Sequence, residues 1–235
     1  NKTESPYTVD AGHLQVETDF LTYTKDRDSK EEALETRQSF LVSNLKVGLT
    51  ANLDFQVSLS PYDIEKSRLG GKREEGRGFG DTVVRFKYNF LGNDEGPIAL
   101  ALMPFLKIPT AHEILERNSR AEVGIIFPIA LKLPHEMDLG LMFQLNRAQN
   151  ENLDGVHAAL ISSATLEHKI LGDLSGYLEF YGEASAEEEA GWIATGDAGF
   201  VYELSPTLHV DAGVAVGLTA AADDFNGFSG FSVRF

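Results

Sequence analysis

The 235-residue sequence contains no cysteine. Disulfide frameworks, thiol nucleophiles and thiolate metal sites are therefore unavailable. Long apolar runs are also missing. Nothing approaches the ~18 to 20 residues of a membrane-spanning helix, which excludes a helical membrane protein and leaves a membrane-spanning β-barrel open. Basic residues are few, 20 Lys and Arg against 36 Asp and Glu, for a net charge of −16. That balance argues against a general nucleic-acid binder, which needs a basic surface. No secretory leader is visible at Asn1, so the chain reads either as a mature exported form or as one never exported.

What the sequence does have is alternation. Thr82, Val84, Phe86, Tyr88 and Phe90 alternate with Asp81, Val83, Arg85, Lys87 and Asn89. After the turn-like Gly92-Asn93-Asp94-Glu95-Gly96-Pro97, Ile98, Leu100, Leu102, Pro104, Leu106 and Ile108 alternate with Ala99, Ala101, Met103, Phe105 and Lys107. A period of two with one apolar face is a pleated strand. The arms reach about ten residues, the length a tilted membrane strand needs, where soluble strands average about five or six.

The pattern recurs along the chain and gives about twelve strands, an even number as single-chain outer-membrane barrels require. Examples are Leu14–Tyr23, the stretch from Gln38 to Leu49, Leu53–Ser60 and the closing Phe231, Val233 and Phe235. Connections alternate between short ones, near residues 51, 94, 135, 172 and 206, and long polar ones. Lys25–Glu35 and Tyr62–Arg77 read as charged long loops. The expectation is an all-β fold, a twelve-stranded antiparallel transmembrane β-barrel of outer-membrane type. Residues 1–12 form a periplasmic N-terminal segment and 13–235 the barrel. Aromatics near strand ends on the apolar face, among them Tyr88, Phe90, Trp192 and Tyr202, suit an interfacial girdle. A soluble β-sandwich shares the alternation, but its strands and loops follow no such length rule.

Four blocks resemble a known family: TESPYTV at 3–9, GFGDTVVRFKYNFLG at 78–92, PFLKIPT at 104–110 and DAGVAVGLTAAADDFN at 211–226. They are similar to the outer-membrane transporter family named after the MetA pathway of phenol degradation. The resemblance implies export, residence in the bacterial outer membrane and a transport role, and brings no substrate.

Candidate chemistry is sparse. The His-x-Ser pair of outer-membrane phospholipases is absent, because His157 is followed by Ala158 and Ala159, and Ser162 and Ser163 lie too far along a strand. His13, His112, His135, His168 and His209 sit near strand ends or loops. Glu187, Glu188 and Glu189 could hold a divalent cation, but without defined ligand spacing they read as a solvated acidic loop. No catalytic residue, metal site or cofactor is expected.

The polar face carries the function. It would line the lumen with Glu17, Asp19, Asp54, Asp81, Glu122, Glu179, Glu183, Asp197 and Asp211, and with Lys46, Arg85, Lys87, Lys107, Lys132 and Arg234. Charges of both signs in a lumen imply pairing, water or both. Loop centres set two expected belts, Glu17–Arg234–Asp211 and Asp81–Lys107–Glu122. Twelve strands about 4.8 Å apart at a tilt near 40° give a backbone diameter of roughly 24 Å and a bore of about 10 Å. The sequence thus reads as a passive channel for small solutes, monomeric or a small homo-oligomer. Its partners are outer-membrane lipid, lipopolysaccharide and the solute, with no nucleic acid. The alternative is a barrel plugged by its own side chains or by residues 1–12, with a structural or adhesive role.

Overall fold

The computed structural model describes residues 2–28, 33–93, 96–111, 120–150, 155–187 and 190–235. Fourteen strands follow one another. They are β1 (Leu14–Asp28), β2 (Ala33–Thr50), β3 (Leu53–Leu59), β4 (Tyr62–Leu69), β5 (Lys72–Gly78), β6 (Thr82–Leu91) and β7 (Ile98–Ile108). β8 (Glu122–Leu133), β9 (Met137–Gln149), β10 (Val156–Leu171), β11 (Leu174–Ser185), β12 (Ile193–Ser205), β13 (Leu208–Gly217) and β14 (Phe225–Arg234) complete them.

All pairings are antiparallel, and β1 meets both β2 and β14, which closes the sheet. Two pairs of short strands each fill one wall position. β2 pairs with β3 along one half and with β4 along the other, while β6 pairs with β3 and β5 with β4. The result is a closed twelve-strand barrel. The break between β3 and β4 falls at Ser60-Pro61, where proline offers no N–H to the ladder. Asp63, buried there, accepts the Ser60 hydroxyl at 2.6 Å.

The reading of Tyr62–Arg77 as a loop is corrected. It is a hairpin whose strands pair from Asp63↔Gly78 to Leu69↔Lys72 around Gly70-Gly71. Likewise, β1 and β2 continue their pairing to Asp28↔Ala33. The physical reason is that these extensions lack apolar periodicity: a wall that rises past the hydrocarbon layer needs no apolar outer face. Residues 29–32, 112–119, 151–154 and 188–189, and with them parts of four expected loops, lie outside the described residues.

The outer wall is apolar. Leu102, Phe143, Leu145, Phe180, Trp192, Phe200 and Val214 are all exposed, and outward rings meet across strands, as in Phe20–Phe231 and Phe55–Phe86, each at 5.0 Å. In a soluble protein this apolar area would be unprotected; around a closed barrel it is the lipid face. Register shifts interrupt the alternation, and the one in the middle of β1 changes the reading most. β1 shifts register against β14 between Asp19 and Leu21, so Phe20 and Leu21 are both exposed. Beyond this bulge Thr22 turns inward to Asp19 and Tyr23 outward to Phe225, the reverse of the simple alternation read from sequence.

Candidate functional site: the lumen and its inner segment

The largest addition to the sequence reading is inside the barrel. Lys2–Gly12, expected as a periplasmic segment or, in the alternative reading, as a plug, runs within the barrel from the end with short turns to mid-height. Its entry is fixed where it crosses β2: the Gly12 N–H donates to the Gly48 carbonyl at 2.9 Å and the Gly48 N–H to the His13 carbonyl at 3.0 Å. A Cβ on Gly48 would lie 1.9 Å from the Asp10 carbonyl oxygen, so only glycine lets the segment pass.

From there most of its residues bond the barrel wall or its turns. The Val9 N–H donates to Asp54 at 3.1 Å, and Asp54 also accepts from Gln56 at 2.9 Å. The Thr8 N–H meets Asn93 at 2.9 Å. Lys87, 1% exposed, donates to the Tyr7 carbonyl at 3.0 Å, and Asn89 to the Pro6 carbonyl at 2.9 Å. Arg85 pairs with Glu4 at 2.5 Å. Glu179 receives the Lys2 and Thr3 N–H groups at 2.8 and 2.7 Å and the Thr3 hydroxyl at 2.5 Å. The Lys2 ammonium lies 3.4 Å from Asp197, donates to Thr195 at 2.7 Å and sits 4.7 Å above the Tyr181 ring. Buried charges need such partners, since an unpaired one is costly to keep from water.

The remaining lumen charges are placed as follows. Lys107 stands between Asp81 at 3.5 Å and Glu122 at 3.3 Å. Lys46 pairs with Glu17 at 2.5 Å. Glu183 accepts the Tyr181 hydroxyl at 2.8 Å. Lys132 shares a register position with Asp138. Asp19 and Asp211 line a common cavity. The belt Glu17–Arg234–Asp211 does not form. Asp211 is opposite Gly230, four residues from Arg234, because the β13–β14 connection is centred between residues 220 and 221, two residues earlier than the expected pairing requires. Arg234 instead donates to Gln15 at 3.0 Å and lies 3.6 Å from Asp10.

One part of the lumen wall is apolar. Met103, Ile126, Met142 and Ile161 form a buried cluster with Phe105 and Tyr181 against it, and the Glu4 N–H reaches the Met142 sulfur at 3.5 Å. Three cavities among the described residues border the inner segment. One of 350 Å³ touches Lys2, Tyr181, Glu183 and Asp223. One of 490 Å³ is bounded by Lys2 and Glu4 and by Glu17, Asp19, Arg85, Tyr177, Asp197 and Asp211. One of 370 Å³ lies between Thr3–Tyr7 and Lys132, Asp138 and Glu167. Lys2 borders the first two, Glu4 the last two. Three buried polar atoms have no protein partner among the described residues: Arg85 Nε, Tyr177 Oη and Asp197 Oδ1. All three belong to residues that line the middle cavity. Gly213 makes room on the lumen wall: a Cβ there would lie 2.5 Å from the Tyr177 hydroxyl.

His157 rests 3.1 Å from Asn150 and 3.4 Å from Glu187, and Ser163 bonds Thr3 at 2.7 Å. No serine hydroxyl is bonded to His157 among the described residues. His112, Glu188 and Glu189 lie outside them.

The sequence matches, over residues 1–235, the family described as "Putative MetA-pathway of phenol degradation". The chain belongs to this family. Among solved structures it is similar to the COG4313 outer membrane channel from Pseudomonas putida F1, with 10% identity, 100% of both chains covered and a TM-score of 0.75. It also resembles the translocator domain of the autotransporter NalP from Neisseria meningitidis, at 8% identity, 97% and 90% coverage and a TM-score of 0.61. The NanC porin matches at 10% identity, 94% and 98% coverage and a TM-score of 0.55. No curated protein matches. These likenesses concern the fold, and with the apolar outer wall they make this family member a barrel of the bacterial outer membrane.

Proposed function

We propose that this family member is a passive outer-membrane channel for small polar solutes, that it is not an enzyme, and that its path runs alongside the inner segment. The observation that carries the reading is the middle cavity, 490 Å³ beside the inner segment, with Glu17, Asp19, Arg85, Tyr177, Asp197 and Asp211 in its lining. A passing polar or zwitterionic solute, with water moving beside it, can exchange hydrogen bonds with such a lining.

Five carboxylates, from Glu4, Glu17, Asp19, Asp197 and Asp211, face two bases, Lys2 and Arg85, around this cavity. The balance favours cations. In planar bilayers under a potassium chloride gradient the channel should show a cation-side reversal potential, reduced by Asp19→Asn with Asp211→Asn. Absence of ohmic current would sink the channel reading and favour a plugged structural barrel, the reading that the inner segment itself supports. Liposome swelling with neutral, acidic, zwitterionic and aromatic solutes then ranks the cargo.

The same reading places the end with short turns in the periplasm and the opposite end outside, following the outer-membrane rule of short periplasmic turns. Trypsin added to intact cells should cleave at Arg68, Lys72 and Arg73 around the Gly70-Gly71 turn and spare Lys169 near the Gly172-Asp173 turn. The reverse pattern inverts the topology.

A further inference from the structure

In a chain with an excess of 16 acidic residues, one face is basic. The extensions of β1, β4 and β5 sort their charges by side. Beyond the bulge in β1, Tyr23 points outward to Phe225, so Lys25 and Arg27 follow it outward and Asp26 turns in. On β4, Tyr62 points outward to Phe40, and Lys66 and Arg68 share its side. Register then sets Arg77 opposite Ile64, Glu75 opposite Lys66 and Arg73 opposite Arg68. Among the described residues the outward side carries six bases and the single acid Glu75, which bonds Arg77. The inward side of the same strands carries Asp26, Asp63, Glu65 and Glu74 with the base Lys72, and Glu65 is bonded to Arg37 at 2.8 Å.

Lys25, Arg27, Lys66, Arg68 and Arg73 have no ion-pair partner among the described residues. Directly below them on the wall lie the rings of Phe20, Tyr23, Phe40 and Tyr62. Aromatic rings mark the level of the membrane interface. The unpaired bases therefore stand at headgroup height, facing sideways to lipid rather than up to water or into the lumen.

We infer that this face of the β1, β4 and β5 extensions is a docking site for a phosphorylated glycolipid headgroup, the outer-leaflet lipid with paired phosphates. The proposal rests on the topology above, which puts the loop end outside. Guanidinium groups bind phosphate oxygens in bidentate fashion. The spread of these bases over neighbouring strands suits a large headgroup bearing more than one phosphate.

The test uses the full chain folded in neutral detergent, titrated with bisphosphorylated lipid A, its dephosphorylated form and phosphatidylglycerol, and bound lipid counted by native mass spectrometry. Lipid A should bind most tightly. Lys66→Gln with Arg68→Gln and Arg73→Gln should weaken it about a hundredfold, from the usual contribution of a basic side chain at an anionic surface. Lys25→Gln with Arg27→Gln should weaken it less, and Lys169→Gln, at the other end, should leave it unchanged. These side chains face outward, so an unaltered melting temperature is expected and checks the fold. Equal binding by the triple variant would overturn the site. Equal binding of phosphatidylglycerol or dephosphorylated lipid would overturn the assignment to a phosphorylated glycolipid. Conductance plays no part in this measurement, so its failure and that of the channel reading are separable, while the trypsin pattern tests the topology alone.

Discussion

Removal of Lys2–Thr8 should raise single-channel conductance roughly three- to tenfold, because it returns the lumen to the ~10 Å bore of an unobstructed twelve-strand barrel. In the intact protein the segment fills mid-lumen, and its Lys2 and Glu4 side chains stand between successive cavities. The barrel closes through β1 and β14 without these residues, so the shortened chain should still fold. Glu179→Ala should give an intermediate phenotype. It deletes the acceptor of the Lys2 and Thr3 N–H groups, loosening the inner end while leaving Asp54 and Asn93 to hold the outer end. Current noise with brief larger openings is the expected signature in planar bilayers. Unchanged conductance after removal of Lys2–Thr8 would mean that the segment lies outside the conduction path.

The second large effect concerns neighbouring positions on β13. Val214 faces lipid and is 45% exposed, whereas Ala215 is 4% exposed and lines the middle cavity. Val214→Arg should cost about 2 to 4 kcal/mol in reversible folding into lipid vesicles, the usual penalty for arginine near the bilayer midplane. Ala215→Arg should cost less than about 1 kcal/mol, because its guanidinium enters a roomy cavity near Asp211 and Asp197. It should also cut conductance. Equal costs at the two positions would mean that the inside and outside faces of β13 are misassigned. Ala101 would be a poor comparison: it is 0% exposed between Ala99 and Met103, and a large side chain there would overpack.

The wall was legible in the sequence because bilayer physics writes it twice, in the period of two and in strand length. Leu102 outward with Ala101 inward follows from that pattern alone, and Lys107 beside Glu122 follows once the loop centre sets the register. Legibility fails where the physics changes. The hairpin of β4 and β5 carries charge on both faces, so it resembles a loop in composition although it is a sheet in geometry. Phe20 hides a bulge, and one extra residue reverses every later assignment on β1. The inner segment was the least legible. TESPYTV is short, polar and without period, and its place is set by Gly48, Asn89, Lys87 and Glu179, residues between about 40 and 177 positions away. Met103, Ile126, Met142 and Ile161 interrupt the polar face and could have signalled a packed lumen wall, but alternation by itself does not separate a packed interior from a wet one.

The inner segment is joined to β1 through Gly12, so it behaves as a ligand permanently supplied to the lumen. A short tether holds such a ligand at an effective concentration of order millimolar or higher. Any solute that needs the space of Lys2 or Glu4 competes with it intramolecularly, and its apparent dissociation constant rises by the inverse of the fraction of time the space is clear. Selectivity would then be set as much by how firmly the protein grips its own chain as by how well it grips the cargo. Mutations such as Glu179→Ala would shift apparent affinities for every competing solute by one common factor, leaving their order unchanged.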